Sequence, residues 1–526
     1  MPPHHRSSPP RLPRAVTTRE RALAECVAGA RALRADNISA ALPRYAAAVA
    51  LAPADADVSA MYGVALRSAG RMQDAQRELI RAIALDETRA DSYTQLAQTF
   101  ILVKDHGQAA NAFLSAASLR QTDANAWRDA AEAMRLANRM VEGLAIARHA
   151  MSLAPSNPSI ASTLALLLHR TGLIDEAMDL CERVRQQSPD DRNLSITYAT
   201  LLLLDEQHAA GWALHERRLE LPELIARPFP PVSPRWDGAA LQQQHILVRG
   251  EQGLGDQVQF VRWATALRGA GASRVTVQCA PPLVRLLQTV HGIDAVVPTS
   301  APAPAHDVHV DVMSLPHLLE SGSDMRRDLV PYVRASPAND VLDARLRATP
   351  RTRMRIGLVW GGSPLHAEDQ ARSIPLQTLL PVLERPDVEV VVLQQGPSRD
   401  QLDAIASDVR ATMFDVATDC HDMADTAQVL TQCDVLLAVD TSVAHVAGAL
   451  NVPAWVMVAH PAEWRWGRHR RDCLFYPSTT VLRQESAGDW VSVVRAACQA
   501  IDAWQQAHAS HDGSDGHHPT SVERPS

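Results

Sequence analysis

The sequence predicts a multidomain protein of the α + α/β class, a helical solenoid followed by two parallel-sheet lobes. Three observations carry this reading. Small side chains recur every 34 residues through the first half, a proline-rich stretch interrupts the chain after Leu221, and β-branched runs then alternate with helical segments in two successive series. At 526 residues the chain also exceeds the roughly 250 to 300 residues that one core supports.

Residues 1–20 are proline-rich and predict a disordered tail; they lack the continuous apolar stretch of a signal peptide. The repeats follow over 21–222. One column reads Gly29, Gly63, Ala97, Ala131, Ala165, Ala199, and a second reads Ala41, Ala75, Ala109, Gly143, Ala177, Gly211. A third holds Ala48, Ala82, Ala116 and Ala150, then loosens to Val184 and Arg218. Only small residues let the two helices of a hairpin approach closely, and Tyr45, Leu79 and Phe113 are expected to fill the gaps between hairpins. Pro53, Pro155 and Pro189 mark turns where a helix stops.

The stretch "PELIARPFPPVSPRWDG" predicts an extended connector, placed at 223–240. The first lobe, 241–335, takes strands at 245–249, 274–279 and 294–298 and at "DVHVDVMSL", with helices from Asp256 to about Gly269 and from Pro281. An interlobe linker at 336–352 leads to the second lobe, 353–507, with strands beginning at Met354 and at 388–396, 433–442 and 453–459. These are two Rossmann-like lobes with a cleft between them. Residues 508–526 predict a second disordered tail, whose histidines are expected to stay solvated.

Composition narrows the function. A formal charge of −8 offers no basic field for a phosphate backbone, so nucleic acid is not the expected partner. Seven scattered cysteines without a C-x-x-C pair suggest reduced cytosol, and no run approaches the ~18 apolar residues of a membrane span. The expected location is cytoplasmic.

The chemistry-bearing stretch of the first lobe is "GEQGLGD", Gly250 to Asp256, directly after a strand. Its spacing is neither G-x-G-x-x-G nor a Walker A loop, which argues against hydride transfer and ATP hydrolysis. Gly253 and Gly255 let backbone pass close to a neighbour, and Asp256 stands at a helix start, as a reactive carboxylate or simply a helix cap. In the second lobe, "VDTSVAHVAGALNVP" places Asp440, Thr441 and Ser442 at a strand end. Free amides there suit a diphosphate, and His445 on the first turn points to the same place or packs the helix. Arg372 and Ser373 follow the lobe's first strand, where a cation would sit over phosphate; the bland alternative is a solvated loop. Gln394 and Gln395 end a strand, near a nucleotide base or merely in solvent. Trp464 and Trp466 stack a sugar or base or, the plainer reading, pack near the cleft; Arg465, Arg468, Arg470 and Arg471 attract an anionic donor or, the plainer reading, form a solvated face.

The 34-residue columns resemble the tetratricopeptide repeat (TPR), with about five full units over 22–191 and a modified sixth. Such an α-solenoid implies a protein or peptide partner in its groove, or an array that only caps and orients the two lobes. Residues 240–505 resemble glycosyltransferase family 9, the ADP-heptose:lipopolysaccharide heptosyltransferases, through "GLGD" and the D-T-x-x-x-H segment. The resemblance implies a GT-B fold, an acceptor in the first lobe, and a nucleotide-diphosphate sugar as co-substrate in the second, with no cofactor and no metal. It implies Asp256 as general base, and donor contacts from Asp440, Thr441, Ser442 and His445. Arg372 stands where that family places a lysine, which keeps the charge and alters the geometry. The expected reaction is an inverting glycosyl transfer to a protein or an envelope glycan precursor. The alternative is a TPR scaffold whose GT-B half has lost turnover.

Overall fold

The computed structural model describes residues 17–230, 232–319, 329–335, 339–348, 351–364, 366 and 368–512. The chain divides into two compact units, Met1–Thr171 and Gly172–Ser526. Helix reaches further into both expected tails than the sequence indicates: α1 begins at Thr18, and the last helix runs Trp490–Asp512. The rest of those tails, 1–16 and 513–526, lies outside the described residues.

Unit 1 is a TPR-like stack of helical hairpins, α1 (Thr18–Arg34) with α2 (Ile38–Leu51), α3 (Ala56–Ser68) with α4 (Met72–Leu85), α5 (Ala90–Leu102) with α6 (His106–Leu119), α7 (Ala124–Leu136) with α8 (Met140–Leu153), and then α9 (Pro158–Arg170). The helices α3, α5, α7 and α9 begin 34 positions apart, at Ala56, Ala90, Ala124 and Pro158. Three of the four share one cap, and α5, preceded by Arg89, does not. The carboxylates of Asp55 and Asp123 and the amide oxygen of Asn157 each accept the backbone N–H groups two and three residues on, which ends the preceding turn and starts the helix.

The small columns hold because large side chains sit directly on them. A Cβ on Gly63 would lie 2.6 Å from Leu79 Cγ, and one on Gly29 2.7 Å from Tyr45 Cε2. Tyr45 and Leu79 therefore pack inside their own hairpins, where the sequence assigns them to gaps between hairpins. Tyr45 does both, since its ring also stacks with Tyr62 of the next hairpin at 6.5 Å.

Unit 2 opens with α10 (Ile174–Gln187), α11 (Arg192–Leu204) and α12 (His208–His215). The array expected as one body over 21–222 is thus divided, its last helices grouping with the α/β portion. Trp212 of α12 explains the grouping: its buried ring meets Phe260 at 5.3 Å and Trp464 at 5.5 Å, both beyond the connector.

Two all-parallel sheets follow. β1 (His245–Arg249), β2 (Arg274–Cys279), β3 (Ala295–Pro298) and β4 (Val308–Asp311) lie in the order β3-β2-β1-β4. β5 (Met354–Val359), β6 (Val388–Val392), β7 (Phe414–Asp415), β8 (Val435–Val439), β9 (Ala454–Val458) and β10 (Thr479–Arg483) lie in the order β10-β9-β8-β5-β6-β7. The second order is that of a doubly wound dinucleotide-type sheet, and the first is its four-strand core. In both, the opening strand is flanked by neighbours that run off in opposite directions, which leaves a crevice at the carboxyl ends of β1 and β5. β7 and β10, the two edge strands of the second sheet, escape the sequence reading; β7 spans only Phe414–Asp415. The expected linker at 336–352 contains a helix, Asp340–Ala348, whose Leu342 and Leu346 are buried.

Replacing Gly63 by valine is expected to cost unit 1 about 1–3 kcal/mol, because neither the added side chain nor buried Leu79 has room to move. Chemical denaturation of the variant beside the wild type measures it, and an unchanged midpoint contradicts the packing described.

Candidate functional site

The site lies within unit 2, where the turns after β1, β5 and β8 meet. After β1, Gly253 takes an extended conformation (φ −78°, ψ 172°) and starts the helix Leu254–Phe260. Asp256 realises the capping role: its Oδ2 accepts from Gly253 N at 2.9 Å. Its Oδ1 is ion-paired with Arg465 of the second lobe. Gly255 serves close approach between lobes rather than a ligand turn. A Cβ there would lie 2.6 Å from His445 Cδ2 and 3.5 Å from Ser442 Cα.

The turn is anchored by a residue absent from the sequence-derived candidates. Glu251 is fully buried and accepts from Arg218 Nε at 2.9 Å and Nη2 at 2.7 Å, and from Met313 N at 3.0 Å. Arg218 also donates to Ser314 Oγ at 2.9 Å and to Glu216 Oε1 at 2.8 Å. It stands in the 3-10 turn Glu216–Glu220 directly after α12, at the position where the third alanine column fails. That failure was the available signal.

In the second lobe, β5 leads into Trp360, Gly361 and Gly362. Gln394 is spent on this loop: Oε1 accepts from Trp360 N at 2.9 Å and Gly361 N at 2.8 Å, while Nε2 donates to Gly361 O at 3.1 Å and Gln395 O at 2.7 Å. Gln394 is buried and braces the loop, not a nucleotide base. Gln395 likewise donates to the carbonyls of Ala417 and Cys420, at 3.2 and 3.0 Å. Ser373 Oγ accepts from Gly362 N at 3.0 Å, which closes the loop from the other side. Arg372 ends the short helix Asp369–Arg372 and is mostly buried beside Gly362, so it is no solvated loop residue.

After β8, Asp440 and Thr441 lead into the helix Ser442–Leu450. Thr441 is its N-cap, yet its hydroxyl makes no capping bond, and Oγ1 is a buried atom without a hydrogen-bond partner. His445 is buried, its Nδ1 3.0 Å from the Tyr476 hydroxyl and its ring stacked on Trp466 at 5.6 Å. It faces Gly255 and packs the lobes together, which is the structural alternative left open by the sequence. Burial holds it well below the usual histidine range, and Arg465, Arg262 and Arg372 push the same way.

The arginines read as a solvated face are mostly engaged. Arg465 pairs with Asp256 and Glu463, donates to Gln259 Oε1 at 3.1 Å, and lies 4.1 Å over the Trp464 ring. Arg468 reaches Asp175 and Asp205 at 2.8 and 3.3 Å, and Arg470 reaches Glu206 at 3.2 Å; Arg471 alone of the four is exposed. Desolvation pushes the Glu463 carboxyl up, Arg465 pulls it back, and Asp440 and Asp256 push it up again. The alternation of acid, aromatic and arginine in "EWRWG" was the sequence signal for this cluster.

Unit 1 carries a separate cavity of about 530 Å³, lined by Arg67, Gln98, Ile101, Phe113, Asp129 and Glu132 among others. Among the described residues no group of three or more His, Cys, Asp or Glu is placed to hold a metal ion, and no helix is long and apolar enough to cross a membrane.

No family model matches the chain. It is similar to Protein FlbA of Caulobacter vibrioides, 24% identical over 362 residues that cover 63% of this chain and 59% of that protein. The chain therefore spans less than two thirds of that relative's length. Solved structures similar to its repeats include MamA (18% identity, 32% of this chain and 93% of that one, TM-score 0.30) and PilF of Pseudomonas aeruginosa (17%, 39% and 94%, TM-score 0.33). A third is YrrB, titled a TPR protein with an unusual peptide-binding site (14%, 34% and 92%, TM-score 0.29). At those TM-scores, the repeat architecture rests on the chain's own helix spacing and caps.

Removing one member of the buried pair has a defined cost. Glu251→Ala leaves buried Arg218 with Glu216 as its one remaining counter-charge and Met313 N without its acceptor, and is expected to destabilise unit 2 by up to about 3–5 kcal/mol. The double variant Arg218→Met/Glu251→Leu is expected to recover most of that in urea denaturation; equal losses in both contradict the pairing argument. A second expectation concerns pH. His445 is neutral in the folded state and takes up a proton when unfolded below about pH 6.5, so stability falls as pH drops through that value. Thermal unfolding between pH 7.5 and 5.5 should show a slope shallower by about one proton in His445→Gln than in the wild type.

Proposed function

We propose that unit 2 is a metal-independent, inverting glycosyltransferase of GT-B type, using a nucleotide-diphosphate sugar, and that the TPR array binds the protein carrying or delivering the acceptor. The donor would sit at the carboxyl edge of the second sheet, where a doubly wound sheet receives its ligands. Arg372 and the start of the helix Ser442–Leu450 would meet the diphosphate, with the Thr441 hydroxyl as a further donor. Asp256 would take the acceptor proton as the sugar is attacked, and Arg465 would balance charge on the departing diphosphate.

The observation that carries this reading is the ion pair between Asp256 of the first lobe and Arg465 of the second. It brings a carboxylate from one sheet edge to the cationic edge of the other, the juxtaposition that direct displacement between two lobes requires. The same pair favours a second reading, a binding protein without turnover, because both carboxylate oxygens are engaged.

One experiment separates the two. ADP- and UDP-sugars are expected to raise the melting temperature of the full chain, and the wild type to hydrolyse the bound donor slowly. Asp256→Asn is expected to keep the thermal shift and lose hydrolysis by about 100-fold or more. Binding without hydrolysis in the wild type supports the scaffold, and no thermal shift with any donor removes the transferase reading.

A further inference from the structure

Among the described residues of unit 2 four arginines are buried, and three are held by partners. Arg218 has Glu251 and Glu216, and Arg355 has Glu389. Arg262 donates to Phe475 O at 2.7 Å, Gln259 O at 2.8 Å and Tyr332 Oη at 3.1 Å. The fourth, Arg249, is 7% exposed, and among the described residues its guanidinium makes no hydrogen bond or ion pair.

Its place is specific. Arg249 is the last residue of β1, beside Gln278 of β2 and Asp311 of β4 in the parallel register, so the three share one face at the carboxyl edge of the first sheet. This is the point where the strand order reverses, the usual ligand crevice of such a sheet. The nearby carboxylates are already committed. Asp311 pairs with Arg227, and Glu251 is bound to Arg218 and Met313 N. Burial lowers the pKa of Arg249, and the Arg227 charge lowers it further, against only partial compensation from Asp311 and Glu251. The Arg249 guanidinium is less enclosed than those of Arg218 and Arg262, so an anion can reach a cation that no hydrogen bond or ion pair holds.

We propose that Arg249 anchors an anion-binding subsite of the first lobe that takes a carboxylate or phosphate group of the molecule bound there. The planar guanidinium fork suits bidentate recognition of either group; Gln278 beside it in the register donates its amide to Ala301 O at 2.9 Å, which leaves Arg249 as the anchor. As part of an acceptor site this rests on the transferase reading; as an anion site it stands independently of it.

The test titrates the full chain with inorganic phosphate and with acetate, against chloride at matched ionic strength, reading the melting temperature and binding heat. The wild type is expected to show saturable stabilisation by one of them, and the stronger probe names the group. Arg249→Met is expected to weaken that binding by about tenfold or more, with Arg249→Lys between. In plain buffer Arg249→Met should melt no lower than the wild type, since it removes a cation that no hydrogen bond or ion pair holds. Equal anion shifts in wild type and Arg249→Met, no saturable shift in the wild type, or a lower melting temperature of Arg249→Met in buffer each overturn the subsite. ADP and UDP serve as the separating arm. Their shift is expected to be the same in both proteins, and its absence from both removes the donor reading while leaving the phosphate and acetate result to decide the subsite.

Discussion

The buried pair between Arg218 and Glu251 is the constraint from which the site is built. Both side chains are withdrawn from water, at a desolvation cost of several kcal/mol per charge, so the arrangement persists only with near-complete hydrogen bonding. It achieves that through two parallel N–H···O bonds, a third bond to Met313 N and a fourth to Ser314. Its consequence is positional. Glu251 is the second residue of the glycine turn, and fixing it fixes the approach of Gly253, Gly255 and Asp256. Because Arg218 comes directly after α12, the end of the helical array is a structural member of the site.

A second layer carries the same logic to the other lobe. Trp212, Phe260 and Trp464 meet edge-on or tilted, with Arg465 lying over Trp464 on the far side. Aromatic edges packed this way hold a guanidinium with little freedom, so Arg465 reaches Asp256 already oriented. Arg468 and Arg470, further along the segment, are tied to Asp175, Asp205 and Glu206 of the last hairpins. Gly255 then sets the distance between lobes, since any side chain there would collide with His445.

Much of this was legible in the sequence where a period or a strand-end pattern existed. The 34-residue columns located the helices because close helix packing admits only small residues, and the break at Leu221 located the change to parallel sheets. Isolated side chains were less legible. The local pattern "EWRWG" hints that Arg465 is engaged but does not name its partner, because Asp256 lies 209 positions away. Gln394 illustrates the reverse error: a polar residue at a strand end looks available, yet its amide is consumed by backbone only tertiary folding brings near. The division of the array at Thr171 was invisible for the same reason, since the period continues through α10 to α12 while their packing partners change.

The occupied state of Asp256 orders the events that the proposed chemistry would require. Both oxygens of Asp256 are engaged, Oδ2 by Gly253 N and Oδ1 by Arg465, so neither stands free to meet an acceptor hydroxyl. Arg465 keeps Glu463 when it leaves Asp256, and an arriving anion would replace the counter-charge it gives up. A diphosphate arriving near Asp440 and Arg372 is such an anion, and drawing Arg465 toward it would release Asp256 as the leaving group gains charge. On this account the donor would precede the acceptor, and the contact with Arg465 that engages Asp256 would be the one that donor binding exchanges.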